Sequence, residues 1–260
     1  MYRDCGDLPR YGAEAASAQH PYARDLRAHF ETDLFTEEQV RGLRRGYLGR
    51  VTFVDQQLGR LMGALEQAGL ADDTVIAYAS DHGEMLGKFG LWWKCSLYED
   101  SARVPLVVAG PGFAAERRVR TPVSLLDLQA AVFVAVGAER PEHWWGTPLQ
   151  GVPADDPERV VLSEYHGHGV HGGAFMVRRG RYKLLYNLAA PHQLFDLERD
   201  PDELEDLAKR EPAIVTQLEA RLRRLCDPDE EDRRAWERER ELEGAVRQVW
   251  GGHRGAAGEG

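Results

Sequence analysis

Two short apolar runs constrain this chain more than any other feature. TVIAYAS (74–80) and VPLVVAGPG (104–112) are rich in β-branched residues and almost unbroken in apolar character. A strand with one wet face alternates apolar and polar residues, whereas a strand buried on both faces reads as a continuous run. Both runs therefore predict strands inside a sheet that is covered on both sides. A long helix precedes them. Thr36 and Gln39 form the T-x-x-Q signature of a capping box. Val40, Leu43, Tyr47, Val51, Val54, Leu58, Leu61, Met62 and Leu65 then recur at spacings of mostly three and four, and Gly69 supplies a stop. After the second run, SLLDLQAAVFVAVG (124–137) predicts a helix capped by Ser124 and ended by Gly137. Helix, strand, strand, helix with buried strands predicts an α/β sheet sandwiched by helices.

After about residue 150 the pattern changes. RVVLSEYH (159–166), GAFMVRRG (173–180), RYKLLYN (181–187) and QLFDLERD (193–200) are short runs joined by short turns. They predict a small antiparallel sheet. Helical pieces are expected near 202–209 and 211–226. Residues 227–243 are nearly all charged and GGHRGAAGEG closes the chain, so 227–260 is expected to be a charged, flexible tail. Residues 1–35, with Pro9 and Pro21, are expected to be irregular. The expected organisation is thus an α/β part over 1–150, a small α+β subdomain over 151–226, and the tail.

The segment between the two apolar runs carries the chemistry. YASDHGEMLGKFGLWWKCSLYED (78–100) places Asp81 and His82 at the carboxyl end of a strand, where open α/β sheets bind ligands. A carboxylate beside an imidazole suits a divalent cation. By itself, Asp-His-Gly is also ordinary turn chemistry. A connection of about 20 residues inside a compact domain is itself unusual and often functional.

Asp81-His82-Gly83, Leu86-Gly87, Gly90-Leu91-Trp92, Lys94, Tyr98-Glu99 and Arg103-Val104-Pro105-Leu106 resemble, in order and spacing, the sulfatase family of the alkaline phosphatase superfamily. Val54-Asp55 with Gly59-Arg60, SEYHGHG, AFMVRRGRYKLLY and QLFDLERDPDELEDLA extend the likeness through most of the chain. Leu225-Cys226-Asp227-Pro228 resembles a tail of choline-sulfatase-like members. The resemblance implies a mixed, mainly parallel, alkaline-phosphatase-like sheet and hydrolysis of sulfate esters. It implies Asp81 and His82 as metal ligands, usually for Ca2+, with Mn2+ or Zn2+ in the related phosphonate and phosphate monoester hydrolases. Lys94 would contact the sulfate oxygens. Glu164 and His166, with His168 and His171 nearby, would lie by the substrate pocket, and Trp92 and Trp93 would line it or pack in the core.

Family sulfatases take their nucleophile from C/S-x-P-x-R, whose cysteine or serine becomes formylglycine, and no such motif occurs in this chain. Cys226-Asp227-Pro228-Asp229-Glu230 has the C-x-P but an acid in place of arginine, and the residues after Cys5 and Cys95 do not fit. The expectation is a chain resembling the C-terminal half of a sulfatase, inactive by itself, with a small sulfate ester as the substrate of the complete form and a homo-oligomer or a missing N-terminal half as its protein partner. A phosphonate monoester hydrolase and a non-catalytic, partner-binding remnant are the alternatives.

Composition excludes other classes. A net charge of −10 and a pI of about 5.4 argue against nucleic acid as the main partner. The three cysteines are widely spaced and make neither a disulfide framework nor a zinc cage, which fits a reducing cytoplasm. No stretch approaches the roughly 20 apolar residues of a membrane span. MYRDCGDLPRYG lacks the apolar core of a secretory leader and reads like a loop from inside a longer protein.

Overall fold

The structure, a computed structural model, describes residues 6–251, with side chains described to residue 244. Helix α1 (Pro21–His29) opens the ordered path. The expectation of irregular chain over 1–35 fails here. Pro21 stands at the first helical position, where a missing N–H costs nothing, and His20 Nδ1 accepts the Tyr22 N–H. Helix α2 (Glu37–Gln67) forms as its capping box predicts, with reciprocal bonds from Thr36 N–H to Gln39 Oε1 (2.8 Å) and from Gln39 N–H to Thr36 Oγ1 (3.3 Å). None of its residues is buried.

Strand β1 (Ile76–Ala79), the short helix α3 (Glu99–Ala102) and strand β2 (Leu106–Ala109) follow. The two strands pair as expected, but antiparallel, from Ile76 opposite Ala109 to Ala79 opposite Leu106. They stand as a two-stranded sheet, so the mainly parallel sheet is absent from the described residues. The physical reason lies in the connection. A parallel pair needs a crossover that carries the chain back to the same end, whereas residues 80–105 fold close to one end of the strands and return directly. Nor are the strands buried on both faces, since Tyr78 and Val107 are exposed. Helix α4 (Leu125–Ala135) has the expected Ser124 cap, reciprocated by Asp127.

The C-terminal sheet is as the sequence suggests. Strands β3 (Val160–Tyr165), β4 (Ala174–Arg179), β5 (Tyr182–Asn187) and β6 (Gln193–Asp196) pair antiparallel in chain order. Residues 202–209 are turns rather than helix, because Asp206 Oδ1 takes the N–H groups of Leu194 and Ala208 instead. Helix α5 (Pro212–Leu225) matches its expected span. The charged segment expected to be a flexible tail is helix α6 (Pro228–Gly251), and residues 252–260 lie outside the described residues. Arginine and glutamate three and four apart, such as Arg233 with Glu230 and Glu237, give that polar helix its local support.

Sheet periodicity explains the core. Phe175, Val177, Leu184, Tyr186 and Leu194 point to one face and pack on Leu218 and Leu222 of α5. Ala174, Met176, Leu185 and Phe195 point to the other, onto Tyr22, Ala23 and Leu26 of α1 and onto Met85, Phe89, Leu91, Leu97 and Tyr98. The segment between β1 and β2 is therefore part of the main core, and that core joins residues from both sides of position 150. The chemistry-bearing loop rests on the C-terminal sheet rather than on β1 and β2.

Candidate active site

The loop is held by backbone contacts. Gly83 N–H donates to Ser101 O at 2.7 Å and Glu84 N–H to Asp100 O at 2.8 Å, which docks the Asp-His-Gly turn on α3. Ser101 Oγ donates to Lys94 O at 2.6 Å. Gly83 and Lys94, eleven residues apart in sequence, thus meet at one buried serine. A Cβ at Gly83 would stand 2.0 Å from Asp100 O, so only glycine allows this approach. Gly83→Ala is expected to cost about 1–3 kcal/mol through forced backbone displacement. Gly63→Ala, in α2 with open space around it, is expected to be neutral or stabilising. Urea midpoints of the two variants check both expectations.

Asp81 and His82 face each other. Asp81 Oδ2 lies 3.4 Å from His82 Nε2, with Asp81 largely exposed. His82 Nδ1 sits 2.9 Å from Gly83 O. A proton on Nδ1, donated to that carbonyl, leaves the Nε2 lone pair turned toward the carboxylate oxygen. Such outer hydrogen bonds orient the imidazoles that ligate metals. Two acceptors on one open side fit a divalent cation as two donors of a larger set. Among the described residues no three His, Cys, Asp or Glu side chains form a metal-binding group. Calcium takes about 6–8 oxygen ligands, so the pair alone would hold it weakly.

Lys94 and Trp93 are exposed between the buried Trp92 and Cys95. Trp92 therefore belongs to the core side of the loop. Lys88 is bound to Asp100 and Lys183 to Glu99 and Glu203. Lys94 pairs with no carboxylate among the described residues, leaving its charge available to an anion.

The second polar cluster divides. His166 Nε2 lies 3.6 Å from Glu164 Oε2, and its Nδ1 lies 3.4 Å from Asp232 Oδ1 of α6. The hydrogen bond from Glu164, aided by Asp232, holds His166 above the ordinary imidazole range against the opposing effect of burial. Asp232 also accepts from Gly173 N–H (2.6 Å) and Trp236 Nε1–H (3.1 Å), so it fastens α6 to the loop. His168 instead packs on His29 and Phe30. Phe30 touches Trp93 with ring centroids 5.1 Å apart, which links this loop to the Lys94 side. His171 is exposed, 3.9 Å from Asp25.

Cys226 is no nucleophile by geometry. It caps α5, Asp227 Oδ1 accepts the Asp229 N–H (3.1 Å), and Pro228 begins α6. The C-x-P run is a helix junction. Burial, with Glu164 and other acids, also raises the thiol's pKa. Cys95 is buried and Cys5 lies outside the described residues.

Sequence reading missed Glu99 and Glu84. Glu99, from the Tyr98-Glu99 pair, binds buried Lys183 on β5 at 2.8 Å, and Lys183 binds Glu203 at 2.8 Å. A lysine on the same strand face as Leu185 is the one signal that pointed there.

The chain is similar to known proteins over most of its length. The family model Sulfatase matches residues 10–138, and N-sulphoglucosamine sulphohydrolase, C-terminal, matches 87–227. The choline-sulfatase of Rhizobium meliloti is 37% identical over 84% of this chain and 44% of its own length. Arylsulfatase K of Bos taurus is 33% identical over 75% of this chain and 39% of its own. The solved phosphonate monoester hydrolase from Silicibacter pomeroyi superposes with a TM-score of 0.70 at 29% identity, over 84% of this chain and 49% of that one. The chain thus spans less than half the length of these relatives. No helix among the described residues is long and apolar enough to cross a membrane. With the two matches together running from residue 10 to residue 227 and the Asp-His-Gly and Lys94 segments inside them, this chain belongs to the sulfatase family.

Proposed function

We propose that this chain supplies the anion-binding side and two metal donors of a sulfuric ester hydrolase acting on small sulfate esters. Asp81 Oδ2 and His82 Nε2 would hold a divalent cation, with Ca2+ favoured by the carboxylate and the family. Bound there, the cation would polarise an ester oxygen and stabilise charge. Lys94 would place its ammonium on the non-bridging sulfate oxygens, a compact charge for an oxyanion. Glu164 and His166 would rim the substrate pocket. The observation that supports the proposal is the shared anchor at Ser101, whose carbonyl accepts the Gly83 N–H and whose hydroxyl donates to the Lys94 carbonyl, with Lys94 paired to no carboxylate among the described residues. The free thiols Cys95 and Cys226 support a reducing, cytoplasmic setting. The nucleophile is not encoded in this sequence, so turnover belongs to an assembly that also contains C/S-x-P-x-R.

A second reading, phosphonate or phosphate monoester hydrolysis with Mn2+ or Zn2+, is favoured by the likeness to the Silicibacter pomeroyi enzyme. One assay separates them. The chain is joined behind the N-terminal part of the Rhizobium meliloti choline-sulfatase and tested with aryl sulfate, choline sulfate and phenylphosphonate. Faster turnover of a sulfate ester supports the first reading, and preference for the phosphonate supports the second. A folded, metal-loaded fusion that hydrolyses none of them refutes both.

A further inference from the structure

We propose that Glu84 is a positioning residue whose carboxylate fixes the strained backbone that aims Lys94. Its Oε1 accepts two backbone N–H groups, from Trp93 at 2.6 Å and from Leu86 at 3.3 Å. Both residues have left-handed backbones, Trp93 at φ 62° and Leu86 at φ 48°. That region is disfavoured for any residue with a Cβ, and such strain persists only where the surroundings over-determine it. The core does not impose it at Trp93, whose side is 42% exposed. What holds Trp93 is the Glu84 carboxylate on its N–H, the Met85 N–H on its carbonyl at 2.9 Å, and ring contacts with Phe30 and, more loosely, Phe35. Glu84 pairs with no lysine or arginine among the described residues, so its charge serves these two N–H groups.

The consequence falls on the next residue. Lys94 has its carbonyl fixed by Ser101 and its N-terminal side set by the dihedrals of Trp93. Relaxing Trp93 to an ordinary backbone would swing the lysine's approach while Ser101 still held its carbonyl. Glu84 therefore touches no substrate and acts through Trp93 and Lys94. The role assigned to Lys94 rests on the sulfate-contact reading above, whereas the clamp itself does not.

The chain has four lysines, Lys88, Lys94, Lys183 and Lys209. Reductive methylation with 13C-formaldehyde gives few NMR signals, and Lys94→Arg identifies that of Lys94. Inorganic sulfate is the probe, and amide hydrogen exchange is read in parallel. Glu84→Ala is expected to lower protection of the Trp93 and Leu86 amides by about tenfold or more, the scale of one lost charge-assisted hydrogen bond. Amides of β4 and β5 should be unchanged. The Lys94 signal should shift, and its sulfate response should weaken about tenfold. Glu84→Gln, which keeps an acceptor oxygen, should stay within about threefold of the parent. In a Trp93→Gly background, where left-handed backbone is freely available, Glu84→Ala should have little further effect on Lys94.

Unchanged amides and an unchanged Lys94 signal in Glu84→Ala would overturn the clamp. So would Glu84→Gln behaving like Glu84→Ala, since charge rather than N–H acceptance would then be at work. If the parent Lys94 ignores sulfate while Glu84→Ala still frees both amides and moves its signal, the clamp stands and the sulfate contact is lost.

Discussion

Lys183→Ala is expected to destabilise the chain by about 3–5 kcal/mol, the cost of breaking a buried ion pair by removing one partner. Lys183 is wholly buried on β5 between Glu99 Oε1 and Glu203 Oε1, each 2.8 Å away. Glu203 Oε2 also accepts the Glu99 N–H at 2.7 Å, and Ser17 Oγ donates to the Glu203 carbonyl. The network ties α3, and with it Ser101, to the C-terminal sheet. Without the ammonium two carboxylates face each other, with Arg178, 3.8 Å from Glu99, and Arg103 as the cations left nearby. Typical domains are stable by about 5–15 kcal/mol, so the variant would be marginal.

The pH dependence has a definite sign. Burial raises Glu99, but Lys183 and Arg178 outweigh it and hold the carboxyl below its ordinary value. Its contribution is present above the ordinary carboxyl pKa and lost as pH falls through the lowered one. Burial dominates at Glu203, which is held above its ordinary value despite Lys183. Its contribution is present below the ordinary carboxyl pKa and lost as pH rises through the raised one. Removing Lys183 takes from both carboxyls the cation that favours their charged form, and protonation relieves the loss. The deficit in urea midpoint relative to the parent should therefore be largest near pH 7 and shrink toward pH 5. Lys183→Met with Glu203→Gln should recover part of it, because fewer unpaired charges remain. A Lys183→Ala midpoint equal to the parent's would remove the network from the account of how the loop is held.

In an active assembly, Lys94→Ala is expected to lower kcat/KM for an aryl sulfate by about 10²-fold or more, the scale of one oxyanion-stabilising group. The lysine is exposed and pairs with no carboxylate among the described residues, so its removal should leave folding intact and, if it contacts the sulfate as proposed, be felt in kcat/KM. Lys94→Arg should fall between the two, since a planar fork does not replace a point charge. Asp81→Asn should reduce bound metal, measured by elemental analysis of the purified assembly. The 260-residue chain alone should show no turnover. Turnover by the chain alone that vanishes in Cys226→Ala would make the helix-junction cysteine a nucleophile after all. An unaltered kcat/KM in Lys94→Ala would take the lysine out of the site.

Local signals were legible because their physics is local. The Thr36–Gln39 box, the Ser124 cap and the four strands of the C-terminal sheet follow from neighbours in sequence. Helix α1 was hidden because Pro21 reads as a breaker until its place at the first turn is known. The direction of β2 against β1 depends on how residues 80–105 fold back, and an apolar run says nothing of that. Motif order offered Asp81, His82 and Lys94 as one candidate site. It was silent on Ser101, Glu84 and Lys183, whose roles arise from contacts across 7 to 84 residues of sequence. Glu164 and His166 were grouped with His168 and His171 by proximity in sequence, but a strand end and a turn send them to different neighbours.

Helix α2 has consequences for how the molecule comes apart. Its Leu43, Val51, Phe53, Val54, Leu61 and Met62 are all exposed, and Arg44 to Leu86 O at 2.7 Å is one of its few ties to the loop. An isolated helix gains little from propensity alone, and most helical stability in proteins comes from packing. The free energy of opening is therefore uneven along this chain. The sheet β3–β6 packs with α1, α5 and the 85–98 loop into buried clusters, whereas the 31 residues of α2 bury no side chain, so α2 is expected to sit on a lower rung of opening free energy than that core. Whatever covers α2 in an assembly would merge the two rungs, turning a graded molecule into a single all-or-none one.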